Sequence, residues 1–178
     1  TSTDGNGIKV AGNSYTVTVQ KAPIIYAITI AGIQVTDVNA PAITGDNILL
    51  GTDGYVTFTL ADADRYSDGY NYWPTLTLNN ATINGSIEWS ETAYPNLRIV
   101  VNGTCKVIKE TEGDTPLPAI KYSGTGTPTV HISKNSTDAT LLIASYKNKG
   151  TSNGSVFSGF NSTIGVDDGL HQTTLYPD

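Results

Sequence analysis

The chain has no methionine, one cysteine, two histidines, two tryptophans and three phenylalanines. With Cys105 alone, an internal disulfide framework and a cysteine-based zinc centre are both excluded. Charge is scarce as well. Only 15% of the 178 residues are charged, where globular chains carry about 25%. Ten Lys and Arg stand against sixteen Asp and Glu, so the net charge is −6, and no basic cluster interrupts the acidic balance. A nucleic-acid partner needs a basic face to neutralise phosphates, and this chain offers none. No apolar run approaches the roughly 18 residues of a membrane span, and no secretory leader is visible. A chain that starts at Thr1 without methionine reads as a mature or excised fragment.

Thr, Asn, Ser and Gly fill the deficit, at about 40% of the chain. Strong helix formers are few and β-branched residues many, which favours strands and turns. Residues 1–22 read as an N-terminal strand or the tail of a preceding module, with Tyr15–Val19 alternating at period two. Residues 23–71 read as a strand and hairpin entry region that also caps the strands after residue 72. Its strands are Tyr26–Ile30, Ile33–Thr36, Ile48–Leu50 and Tyr55–Leu60, and Thr52-Asp53-Gly54 is a hairpin signal.

From Tyr72 onward the strands shorten and fall into a three-part cycle. The first cycle is Thr75–Leu78, Ala81–Ile83 and Ser86–Trp89. The second is Leu97–Val101, Cys105–Ile108 and Ala119–Tyr122. The third is Thr129–Ile132, Thr140–Ile143 and Ser155–Phe157. From Leu76 to Ile99 is 23 residues and from Ile99 to Val130 is 31, with the excess in the loop-like stretch 109–118, and a second such stretch, 146–154, follows in the third cycle. Irregular insertions of this kind suit a β-solenoid, in which one rung cannot bury its own apolar face and stacked neighbours build a continuous core. Residues 72–178 would then form about three or more rungs. In that arrangement Leu76, Ile99 and Val130 share one column, and Asn79, Asn102 and Ser133 stack at the corners. A β-sandwich, with similar strand spacing, is the alternative.

Several phrases resemble a group of repetitive extracellular proteins of gut anaerobic bacteria. They are Tyr26–Thr36 followed by Asn39-Ala40 and Ile43-Thr44-Gly45, then Thr75-Leu76-Thr77-Leu78-Asn79-Asn80-Ala81-Thr82-Ile83, then Leu97–Gly103. The match runs from residue 26 to about residue 130. It implies a right-handed parallel β-helix, similar to carbohydrate-binding and polysaccharide-lyase-like β-helix modules, and an extracellular or cell-surface location. The chain departs from the pattern at residues 62–73, where a short hairpin is replaced by a longer aromatic and acidic stretch.

That stretch carries the candidate site. Tyr66, Tyr70, Tyr72 and Trp73 supply rings that stack on sugars and polar tips that hydrogen-bond. The competing reading has the same rings plugging the solenoid end, since terminal rungs need caps. Asp62, Asp64 and Asp68 supply oxygens of the kind calcium takes, although the spacing fails the EF-hand pattern and a solvated acidic loop is the competing reading. No cofactor is required. Cys105 reads as a buried small hydrophobe rather than a nucleophile, because no histidine motif accompanies it. His131, between Val130 and Ile132, reads as an outward residue of a strand. No carboxylates pair as a glycosidase needs, so no catalytic residue is assigned. The expectation is a non-catalytic module of a secreted or cell-surface bacterial protein that binds polysaccharide or host glycan or serves adhesion. A structural stalk or spacer with no ligand is the alternative.

Overall fold

The computed structural model describes residues 21–64, 69–112, 115–147 and 156–160 in full, together with the backbone of four two- or three-residue strands outside them. The protein is all-β. Strands β1 (Ile8–Val10) and β2 (Asn13–Tyr15) form an antiparallel pair. The expected strand at Tyr15–Val19 falls, beyond Tyr15, outside the described residues. Strands β3 (Ile25–Ile30) and β4 (Ile33–Thr36) form a hairpin. Its two turn residues, Ala31 and Gly32, have φ of 51° and 83°, the positive values that a tight two-residue turn demands.

Strand β5 (Ile48–Thr59) is a single long element. It differs from the expected pair of strands joined by a hairpin at Thr52-Asp53-Gly54. Those residues lie in a bulge, Gly51–Gly54, on one continuous strand whose two halves both pair with β6 (Thr75–Asn84). The turn chemistry was legible, but a Gly/Asp bend within a strand and one between strands have the same composition. The first two strands of the first cycle are likewise fused in β6, which bends at Asn80, φ 43°.

The remaining strands are β7 (Ile87–Trp89), β8 (Leu97–Asn102), β9 (Thr104–Thr111), β10 (Ile120–Tyr122), β11 (Val130–Lys134), β12 (Thr140–Lys147), β13 (Ser152–Asn153), β14 (Phe157–Ser158) and β15 (Gly165–Val166). The three-part cycle reappears as three parallel ladders. One runs β6–β8–β11, the second runs from the end of β6 through β9 to β12, and the third runs β7–β10–β14. The first two ladders form one curled sheet and the third belongs to another. Parallel pairing departs from the antiparallel sandwich that strand spacing alone had left open. We call β6–β7, β8–β10 and β11–β14 the first, second and third tiers.

Residue by residue, the register corrects one expectation. Leu76 faces Ile99, and Ile99 faces Ile132, whereas Val130 faces Leu97. The column is therefore Leu76–Ile99–Ile132. A shift of two residues keeps the same face inward, so the hydrophobic pattern could not detect it. Asn79 does stand opposite Asn102, but Ser133 stands opposite Val100 and accepts a hydrogen bond from Arg98 Nε at 3.0 Å.

The interior is one cluster drawn from all three ladders, including Leu76, Leu78, Ile83, Ile87, Leu97, Ile99, Val107, Ile120 and Val130. Tyr26, Phe58 and Trp89 pack in sequence at 5.4 and 5.9 Å, Trp89 is in register with Tyr122, and Tyr122 packs on Phe160 at 5.8 Å. This aromatic column joins the N-terminal strands to all three tiers. Trp89 is fully buried and its indole N–H donates to Pro95 O at 2.8 Å, which satisfies its one polar atom. The first tier is covered on its N-terminal side by antiparallel strands: β5 along β6 and β3 along β7. A parallel stack that ended at β6 and β7 would expose open strand edges, and β5 and β3 close them.

Candidate functional site

The loop from Leu60 to Pro74 joins β5 to β6. A short 3-10 turn at Tyr70–Tyr72 follows Gly69, whose φ of 126° suits only glycine. Backbone bonds from Asp62 N to Tyr72 O (3.2 Å) and from Trp73 N to Tyr70 O (3.3 Å) fold the loop on itself. The Thr75 hydroxyl donates to Trp73 O at 2.7 Å and ties its end to β6. Tyr66 and Asp68 lie outside the described residues.

Tyr70 is 38% exposed. One face of its ring stacks on the His131 imidazole, with centroids 3.9 Å apart and planes at 21°. The Arg98 guanidinium lies 5.7 Å from the same ring centroid. Arg98 and His131 are register partners in adjacent tiers, so the ring rests across the outer face of the first ladder. Tyr72 and Trp73 are half-buried. Trp73 meets Tyr70 edge-on, at 6.3 Å and 77°, so the two rings form a corner and not a flat platform. His131 lies between buried Val130 and Ile132 and points outward, in line with its alternation in the sequence. Its role under Tyr70, and that of Arg98, was not legible, because nothing local links residue 70 to residue 131.

Asp62 and Asp64 are exposed, and Asp62 Oδ1 accepts the Asp64 N–H at 3.2 Å. Among the described residues no three His, Cys, Asp or Glu side chains converge on a point where a metal could sit. Cys105 is buried at 1% exposure and its thiol lies 3.3 Å from Asn102 O. Burial pushes its pKa above the ordinary value, against smaller downward pulls from the backbone of Ala81, Asn102 and Asn80. A neutral, enclosed thiol is inert, as the apolar surroundings in the sequence suggested.

A second feature escaped the sequence. The β5 bulge forms one wall of an open groove of about 550 Å³, lined by Leu49, Leu50, Gly51, Thr52, Asn80, Thr82, Thr104 and Lys106. The only available signal was the Gly51-Thr52-Asp53-Gly54 string, and it reads equally well as a hairpin.

No family model, curated protein or solved structure matches the chain. Among the described residues no helix is long and apolar enough to cross a membrane.

Proposed function

We propose that residues 72–178 form a right-handed parallel β-helix closed at its N-terminal end by residues 23–71. In this reading the chain is a non-catalytic module of a secreted or cell-surface bacterial protein, and it binds glycan through the loop that carries Tyr70. The observation that supports it is the setting of Tyr70. Its rear face is held against His131 and Arg98 while more than a third of the residue stays in solvent. A ring fixed in this way has already lost the freedom that binding would otherwise cost it. Trp73 at right angles adds an edge, which suits the end or side of a sugar chain better than a flat run of rings. The reading requires no cofactor. Calcium at Asp62, Asp64 and Asp68 is a separate expectation, checked by melting the protein with and without the ion.

The half-burial of Tyr72 and Trp73 supports the second reading, a stalk or spacer whose loop serves only to seal the structure. A glycan array probed with the parent, Tyr70→Ala and Trp73→Ala separates the two. Recognition predicts that each replacement weakens binding by about 1–3 kcal/mol with little effect on melting. If the parent binds no glycan and Trp73→Ala costs roughly 3–5 kcal/mol of stability, the spacer reading stands instead.

A further inference from the structure

We infer that the groove beside the β5 bulge is a binding site of its own, and that its ligand is a saccharide carrying a carboxylate. The bulge is longer than pairing requires. Leu50 faces Ala81 and Tyr55 faces Asn79, so four residues of β5, Gly51–Gly54, oppose the single residue Asn80. In the next tier one residue, Gly103, turns the same corner between β8 and β9. The extra residues project as a wall, and the wall is pinned. Asn79 Nδ2 donates to Asp53 O at 2.6 Å and Asn80 Nδ2 donates to Thr52 O at 3.1 Å. Gly54 lies so close to the backbone of Asn80 that a Cβ would come within 2.8 Å of its carbonyl oxygen, and Asp53 is held at φ 54°. A strand insertion fixed by two side-chain amides and a glycine contact is a built feature, not slack.

The chemistry of the groove is mixed in a particular way. Leu49 and Leu50 are 54% and 41% exposed, an apolar shelf with no cover among the described residues. Beside Leu49 stands its register partner Thr82, and beside Thr82 stands Lys106, so the three form one row across β5, β6 and β9, with Thr52, Thr104 and the Asn80 amide at the bulge end. Lys106 is exposed and forms no ion pair with any described residue. A pyranose ring has an apolar C–H face and an edge of hydroxyls, so it fits an exposed leucine set beside a row of hydroxyl and amide groups. The cation then selects a sugar with a carboxylate. An extended peptide fits less well, because the strands of the floor are already bonded to each other and offer side chains instead of free backbone. The net charge of −6 repels polyanions at a distance, so recognition depends on the single short contact to Lys106 and weakens with salt.

The site is independent of the Tyr70 loop, and the experiment keeps the two apart. Titration calorimetry of the whole chain uses a galacturonate trisaccharide, its neutral methyl ester and acetate as probes. Parent and Tyr70→Ala should bind the trisaccharide equally well. Esterification, or Lys106→Gln, should each weaken binding about tenfold. Leu49→Asp, which sets a carboxylate on the shelf, should weaken it further while the circular dichroism of the exposed-site variants stays that of the parent. The proposal is overturned if the trisaccharide does not bind, if ester and acid bind alike, if Lys106→Gln binds as the parent does, or if acetate binds as well as the sugar. Loss of binding in Tyr70→Ala alone would move the sugar to the other site and overturn it equally.

Discussion

Strand β6 has a different neighbour on each edge: antiparallel β5 on one, parallel β8 and β9 on the other. The contrast extends to the regions beyond. Of the nine large apolar residues exposed among the described ones, seven lie between Ile24 and Leu60, in the antiparallel cap. In the tiers only Leu117 is as open, apart from Tyr70 on the connecting loop. A tier has a neighbour above and below and passes its apolar face to both, whereas the cap has a tier on one side only. The inward residues of the cap, Ile28, Ile30, Val35, Ile43 and Val56, are as dry as those of the tiers, and the difference lies in the apolar side chains that the cap carries on its outer positions.

The largest expected effect tests whether the two halves are one cooperative unit. Trp89→Ala removes the centre of the aromatic column and should cost about 3–5 kcal/mol in chemical denaturation. Phe58→Ala removes its neighbour from the cap side and should cost a similar amount, with a single transition. Two separate transitions in Phe58→Ala would show that the cap unfolds by itself.

Next is Gly103→Ala. Gly103 has φ of 60° and packs against the Asn80 amide, so a methyl group meets both strain and a neighbour. About 1–3 kcal/mol should be lost. Gly126→Ala, at φ 96° with open space around it, isolates the backbone cost and should lose less. Equal losses would remove the Asn80 contact from the account.

Asn80→Ala should cost about 1–2 kcal/mol, because it frees Thr52 O and leaves the Thr104 N–H without the Asn80 Oδ1 that accepts it at 3.1 Å. Since Asn80 touches both the cap and the second tier, hydrogen exchange should quicken on both sides. Faster exchange in β5 alone would confine the residue to the cap.

The smallest effect is a pH slope. The folded Cys105 thiol has a raised pKa, so the unfolded chain gives up its proton first. The stability this contributes is complete below the unfolded value of about 8.5 and is lost as pH rises through the folded value. Melting temperature should therefore fall more steeply in the parent than in Cys105→Ala above that pH. Alkylation of the native thiol should be slow, and fast labelling would contradict its burial.

Much of the tiered half was legible, because period-two alternation in Leu97–Val101, Cys105–Ile108 and Ile120–Tyr122 needs only local sterics and burial. Register was not: Val130 and Ile132 are both apolar and both face inward, so loop length alone decided which one meets Ile99. The bulge at Gly51–Gly54 was hidden by turn residues that serve two geometries. At the aromatic loop, the rings stood out in the sequence. Their corner arrangement did not, because it depends on where Arg98 and His131 fall in the second and third tiers.

The shared strand β6 also bears on how the chain reaches this state. Its antiparallel partner lies only a loop of residues 60–74 away, so that pairing closes at small entropic cost. Every later tier must close a longer loop, and its strands gain hydrogen bonds only if an edge is already waiting. The β5–β6 pair is thus expected to form first and the tiers to add to it in chain order, which pulse-labelled hydrogen exchange during refolding would check.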